Sequence, residues 1–507
     1  MKRQFAILLA LLCASAAPAE IWHIDSEHGD DAYTGLAPDQ AWRSFAQLLR
    51  ADIKPGDTVL LMAGSAWREP LLLTHSGTAE APITITRGGE GPRPRIEVGG
   101  VAENAVEIRN ADNIAVSGLE LTNTGPGTGL RRGVFINAID FGVATNIALR
   151  DLYIHDIKGT NERKDNGGIV FSALGPAVPT RFEGITIERN LLWKVDRSGI
   201  AGISDQVSVA RWFPSRFVVI RDNVLEDIGG DGIVARGADG TLIEHNIVRH
   251  AASRAPGYNV AIWQWSTDNT LIQLNEAAFT HGIYDGMGFD SDFNSRNTTL
   301  LSNFSHDNEG GFLLICTPVV RDPVENIGNS GTLVRQNVSY NDRERIIQLG
   351  GASDALIEKN VIHAGPGEVQ MVVATWWDGW SERITLRDNL LGTRGTAHYG
   401  YETGRSGGHY VASPGFPPPL SVAFDGNVYA GEHLDRPADA TGREKSAREP
   451  RPEQWAVPVL DPARPDDLPG FLARHRAWML AMLRRELGER PALEQPRLMM
   501  PVDYRRR

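Results

Sequence analysis

Asp290 and Asp292 stand two residues apart in HGIYDGMGFDSDFNSRN, the segment from His281 to Asn297. Gly288, Asp290, Asp292 and Asn294 alternate there with Met287, Phe289, Ser291 and Phe293, as in a strand with one buried face. Both acids then point to one side, with Cβ atoms roughly 6.5–7 Å apart. Such a pair can act on one bond: the member whose pKa is raised by its neighbour's charge protonates a leaving oxygen, and the other deprotonates water. Glycosidic bonds are cut with inversion when the carboxyls stand about 6.5–9.5 Å apart and with retention near 5–5.5 Å, so this spacing favours one inverting step. SHDNEGG, one repeat later, adds His306, Asp307 and Glu309 as further acids or ligands, and Tyr284 and Asp285 precede the strand. Asp285, Asp290 and Asp292 also form an all-oxygen set of the kind calcium prefers, which is an alternative use of the same residues. The plain reading is that paired aspartates at turn edges cap backbone amides.

The elements that must hold these residues repeat along the chain. GITIERNLL, FVVIRDNVL, TLIEHNIV, TLIQLNEA, TTLLSNFS, TLVRQNVS, ALIEKNVI and ITLRDNLL share alternating apolar positions followed by Asn. The Asn positions are 190, 223, 246, 275, 303, 337, 360 and 389, at intervals of 23 to 34 residues. Short strands at that period with no helix between them fit the coils of a parallel β-solenoid. Asn suits a tight corner because it tolerates left-handed backbone and can hydrogen-bond to the copy above.

Stacking the strands that follow each Asn sorts them into two faces. Ile233, Ala235, Val260, Ile262, Met287, Phe289, Phe312, Leu314 and Cys316 would fill the coil, leaving Cys316 a small buried hydrophobe. Val234, Arg236, Trp263, Trp265, Asp290, Asp292, Ile315 and Thr317 would face outward on neighbouring coils roughly 4.8 Å apart. Arg236, Trp263 and Asp290 then make one row, with Trp265, Asp292 and Thr317 beside it. Indoles next to carboxyls on an outer wall suggest a trough for sugar rings. Arg236 is placed either to bind a carboxylate or to stack on an indole. Asp231 in GGDG reads as a turn residue, and Lys164 in HDIKGTNERKDNGG lies on a basic loop. The Gly-rich TAHYGYETGRSGGHY is either a wall of the trough or packing for the C-terminal segment.

The ends differ from the middle. MKRQFAILLALLCASAAPAE has a basic start, a short apolar run and a small-residue site near Ala19, the pattern of an export signal rather than a membrane span. We therefore expect a signal at 1–19, a cap and first coils at 20–106, with a short helix from Ser44, the β-helix at 107–430, and an extension at 431–507. In that extension Leu472, Trp478, Met479, Met482 and Leu483 recur at helical spacing and should dock on the coils. Only Cys316 follows the signal, so no intrachain disulfide is expected, and the net charge of −12 argues against nucleic acid as a partner. The mature chain should be periplasmic or extracellular, monomeric and without a membrane span.

With DSEHGDDAYTGLAPDQAW, KPGDTVLLMAGSAW and GTAEAPITI at the start and Asn-ended repeats from about Ile108 to Asn427, the chain resembles right-handed parallel β-helix proteins of the pectate-lyase-like superfamily. That resemblance implies an all-β fold with caps and an enzyme acting on a polysaccharide or oligosaccharide. A glycoside hydrolase using Asp290 and Asp292, with His306 or Asp307 as substitute acids, is the first expectation. Arg236, Trp263, Trp265, Tyr284 and Glu309 would bind the substrate. A calcium-assisted lyase on a uronate polymer is the second expectation, and a glycan-binding surface protein the third. Around Asp290 and Asp292 the sequence lacks the adjacent-Asp pair and Gly-His-Gly segment of the polygalacturonase branch.

Overall fold

The computed structural model describes residues 19–494 apart from 283, 318–325, 327, 377–378, 380, 407–408 and 447–455, so the expected export signal falls outside the described residues. Along the chain, short strands pair in parallel with the strand one coil before and one coil after. One coil runs through Met287–Ser291, Thr299–Leu301 and Phe304–His306, and the next through Gly311–Cys316, Leu333–Arg335 and Val338–Tyr340. Each of these strands pairs with its counterpart, giving three faces around one core.

Alternation along the first face fills that core. Ile169, Ile200, Ile233, Ile262, Phe289, Leu313, Ile347 and Val372 stack in register, coil upon coil, and all are fully buried. Each such side chain contributes about 1.5–3 kcal/mol when removed from water. The filling departs from expectation in two ways: Val260 and Met287, at the strand entries, join the outer cluster of Trp263, and one coil has its two faces exchanged. Phe289 pairs with Leu313, so Leu313 and Ile315 face inward while Leu314 and Cys316 face outward. Gly311, at φ 137°, pairs with Met287, so Phe312 stands one position beyond the place the sequence alignment gave it. A one-residue slip exchanges the two faces.

The repeated Asn residues form a continuous buried ladder. Each amide donates to the carboxamide oxygen of the next, at 2.9–3.0 Å from Asn190 through Asn223, Asn246, Asn275, Asn303, Asn337, Asn360 and Asn389 to Asn427. Hydrogen bonding to the neighbouring copy is as expected; the left-handed backbone is not where expected. It belongs to the residue before each Asn, as at His245, Leu274 and Ser302 with φ of 50–55°. Asn275 accepts from the backbone amide and side chain of Asn246 and donates to the carbonyls of Ile243 and Gln273. We expect Asn275→Ala to lose about 3 kcal/mol of stability, since several buried partners lose their bonds at once. Asn275→Gly should be no better, because the strained φ is at Leu274; a Gly variant as stable as the parent in urea unfolding would contradict the ladder.

The ends close the coil stack. The strand Ile21–Ile24 pairs with Thr58–Leu61, and the helix expected from Ser44 is one 3-10 turn, Phe45–Gln47. Its apolar Phe45 packs on Trp67, so the turn plugs the open core instead of extending. The helix Leu468–Leu487 ends at Gly488, whose left-handed φ of 71° lets its amide reach the Arg484 carbonyl. It lies along the third face. Leu468, Phe471 and Leu472 pack on Tyr153, Leu191, Val224 and Ile247, while Met479, Met482 and Leu483 pack on Phe304, Val338 and Val361. Twenty helical residues reach about 30 Å, the height of roughly six coils. The Gly-rich segment forms an antiparallel hairpin, Leu390–Ser406 with His409–Pro414.

Candidate active site

The outward residues of the first face make two rows. In one, Val234, Trp263, Asp290 and Leu314 are paired in register. In the other, Arg236 pairs with Trp265, the Asp292 amide donates to the Gln264 carbonyl, and the Cys316 thiol donates to Asp292 Oδ1 at 3.1 Å. Trp263 therefore adjoins Asp290 as expected, whereas Arg236 lies across from Trp265 and Cys316 takes the place anticipated for Thr317. Thr317 is buried against Asn326.

The acids come closer than strand rise alone suggests. One oxygen each from Asp290 and Asp292 and the Cys316 sulfur lie within 4.8 Å of one another. Their nearest oxygens are thus closer than the roughly 6.5–7 Å that strand rise sets between the Cβ atoms. Asp292 is half-buried and accepts from the Phe293 amide at 2.6 Å. Burial raises its carboxyl to about 6, against the pull of that amide and the thiol. Asp290 is 2% exposed, and its Oδ1 has no partner. Burial and then the charges of Asp292 and Asp285 push it well above the usual range. Asp285 is 9% exposed at the end of the preceding loop, and burial lifts it to about 7 against the opposing charge of Arg345.

Cations flank this cluster. The fully buried Arg345 donates to the carbonyls of Tyr284 and Asp285 and to Gln348 Oε1, at 2.8–3.0 Å, fixing the loop that carries Asp285. On the other side Lys164 lies 2.9 Å from Asp231 Oδ2 and 4.5 Å from the centre of the Trp263 ring. Asp231 is fully buried, accepts from Trp263 Nε1 at 3.0 Å and lies 3.4 Å from Arg197. It is therefore a site residue, not the turn residue its sequence suggested. A charged side chain in a Gly-rich corner followed by a buried strand was the only signal. Lys164 comes from a loop two coils away, and Arg345 from a later coil, beyond the reach of local pattern.

The indoles are built into the wall. Trp263 is 8% exposed. Trp265 lies between the Arg236 guanidinium, 4.0 Å from its centre, and Phe293, stacked at 4.7 Å. The open sugar platforms expected of them are not there, because both faces of Trp265 are used and Trp263 is under Lys164. Tyr284, by contrast, is 51% exposed and meets Tyr258 edge-on at 6.0 Å and Arg405 of the hairpin at 5.7 Å. Glu309 accepts from the Gly282 amide at 2.6 Å on the same rim.

His306 and Asp307 are elsewhere. They sit on the third face, before the corner that leads to the acids, and pack under the C-terminal helix. His306 Nδ1 is 2.8 Å from Asp307, Nε2 is 3.4 Å from Glu276, and its ring stacks on Phe304. Neither joins Asp290 and Asp292, because the intervening turn carries the chain to another side of the coil.

Residues 95–277 match the family profile described as a right handed beta helix region. A lacto-N-biosidase of Bifidobacterium longum subsp. longum is 28% identical over 468 aligned positions, which cover 73% of this chain and 28% of that protein. The chain thus spans under a third of the length of that curated relative. The crystal structure of the GH136 lacto-N-biosidase from Eubacterium ramulus superposes with a TM-score of 0.64 at 28% identity, over 74% of this chain and 67% of that one. An α-1,3-galactosidase A of Akkermansia muciniphila is 37% identical over 70 residues, 14% of this chain and 12% of that protein. Among the described residues no helix is long and apolar enough to cross a membrane. Parallel coils, an Asn ladder, capped ends and these likenesses agree: the chain is a right-handed parallel β-helix protein.

Proposed function

We propose that the chain is an exported, monomeric glycoside hydrolase acting on an oligosaccharide, with Asp285, Asp290 and Asp292 as its acid–base group. The observation that carries this is the pair Asp290 and Asp292 converging on one outer wall of the coil, with Asp285 near enough for its charge to act on Asp290. Asp292, the most accessible and the most easily ionised, attacks the anomeric carbon or deprotonates water. Asp285, poised near neutrality, gives its proton to the leaving oxygen and can take one back. Asp290 stays protonated behind them and keeps the like charges from multiplying.

A lyase finds less support in this arrangement. Lys164, the base it would use, is ion-paired with Asp231 at 2.9 Å and lies over an indole, so its amine is engaged there. The convergent donors also suit calcium poorly: one is a thiol, a soft ligand, where calcium takes six to eight oxygens. A simple binder would have no use for raised carboxyls, which weaken the fold at neutral pH.

The relatives' name makes 4-nitrophenyl β-lacto-N-bioside the first substrate to offer, alongside a panel of aryl glycosides. Release of nitrophenol with reducing sugar and no unsaturated product absorbing in the ultraviolet supports hydrolysis; an unsaturated product from a uronate polymer overturns it. The pH profile should be narrow. Activity falls below about 6 as Asp292 is protonated and falls above about 7 as Asp285 loses its proton, so kcat/KM should peak between those values. A plateau extending to pH 9 would contradict this assignment.

A further inference from the structure

Arg236 is a cation with no anion beside it. Its strand neighbour on the next coil is Trp265, and its guanidinium lies flat over that indole, 4.0 Å from the ring centre. Phe293 closes the other side of the indole at 4.7 Å. The group is thus pinned in orientation by a stack of planar side chains. Its Nε is buried and has no partner, and no side chain or carbonyl among the described residues accepts from the guanidinium. The acids in its neighbourhood are committed elsewhere. Asp205 lies 3.0 Å from Arg211, Asp239 accepts from Asn269, and Asp292 takes the Phe293 amide and the Cys316 thiol. Burial alone acts on its proton affinity, lowering it to about 10 with no carboxylate to offset it. The other buried or half-buried cations of this face are matched: Lys164 and Arg197 to Asp231, and Arg345 to carbonyls and Gln348.

We infer that Arg236 is an anion subsite, which recognises a carboxylate or sulfate group on a sugar bound along the first face. A planar guanidinium offers two parallel N–H donors to the two oxygens of such a group, and an unpaired, partly desolvated one gains most from it. The row places this subsite two strand spacings, about 10 Å, before Asp292. The anionic group is therefore on a sugar neighbouring the one cleaved, not on the scissile residue itself. This inference rests on the reading of the face as a glycan site, and it adds a substrate class that the relatives' names do not state: an acidic oligosaccharide. The competing account is that Arg236 only packs against Trp265. A packing role needs the flat side chain but not its two donors, and gives no preference for anions.

Binding tests it apart from catalysis. The full-length chain is titrated calorimetrically with sodium glucuronate, glucose 6-sulfate and glucose at constant ionic strength. We expect at least one of the two anions to bind about tenfold or more tightly than glucose; which of them does identifies carboxylate or sulfate as the recognised group. Arg236→Gln should erase that preference. Arg236→Lys, which keeps the charge but not the fork, should retain part of it, and it serves if the Gln variant fails to fold. Asp292→Asn should keep the preference in full, so absence of turnover on every glycoside would sink the hydrolase reading without touching this one. Equal binding of anions and glucose, no binding of any, or an unchanged preference in both Arg236 variants would overturn the subsite.

Discussion

Asp292→Asn and Asp285→Asn should each lower kcat on a cleaved glycoside by about 10³-fold while the protein unfolds at a higher temperature than the parent. The loss follows from removing either the ionised carboxylate or the proton donor from a reaction that needs both. The gain in stability follows from the sign of the pKa shifts. Both groups are raised in the folded state, to about 6 and about 7, so the fold binds their protons more tightly than the unfolded chain does. Stability is therefore lost as pH rises from the ordinary carboxylate range through those values, and a neutral amide removes that loss. Capping acids would behave in the opposite way, since their removal weakens the fold. Asp290→Asn should be milder in rate, because its carboxyl already stays protonated. Steady-state kinetics beside differential scanning fluorimetry separates these outcomes. If Asp290→Asn abolishes turnover and Asp285→Asn leaves it within tenfold, the proton donor is Asp290.

Glu276→Gln should cost about 3–5 kcal/mol and loosen the C-terminal helix from the coils. The Glu276 carboxylate is fully buried and holds several partners at once: Arg249 Nε at 2.5 Å, His475 Nε2 of the helix at 2.7 Å and His306 Nε2 at 3.4 Å. Removing its charge leaves the Arg249 guanidinium buried without its counter-ion, which is the expensive way to break such a pair. The pH dependence has two limbs. Arg249 and the two histidines hold Glu276 well below its ordinary range despite burial, so its contribution is present above about 4.5 and fades as pH falls through the folded value. His306 is raised to about 9 by Asp307 and Glu276, so its contribution is complete below about 6.5 and fades as pH rises toward 9. Urea unfolding across pH 4–9, with limited proteolysis ahead of Leu468, measures both. A Glu276→Gln variant that unfolds like the parent at pH 6 would show that apolar packing alone seats the helix.

The repeat was legible because its signal is local and recurs. Alternating apolar residues before an Asn specify a short strand and a corner wherever they occur, and eight copies make the reading robust. The C-terminal helix was legible for the same reason: Leu472, Met479, Met482 and Leu483 recur at helical spacing and do face the coils. The neighbouring positions of Trp263 and Asp290 followed from counting along two strands. The count failed one coil later, at Gly310–Gly311. Glycine has no side chain to mark which face it occupies, so the sequence held no sign of the slipped register.

Loops carried the rest out of reach. Lys164 meets Asp231 and Trp263 across 67 and 99 positions of sequence, and Arg345 fixes a carbonyl of the Asp285 loop 60 positions away. Nothing in the residues around Lys164 distinguishes it from a solvated basic loop. His306 and Asp307 erred the other way: close to the acids in sequence, they were grouped with them, yet a corner sends them to the face under the helix. What amino-acid order dictated here is whatever repeats within one turn of the coil: strand, corner, buried stack and docking stripe. What needed the folded chain is which charges meet, because that depends on loop length and on a register in which one residue reverses inside and outside.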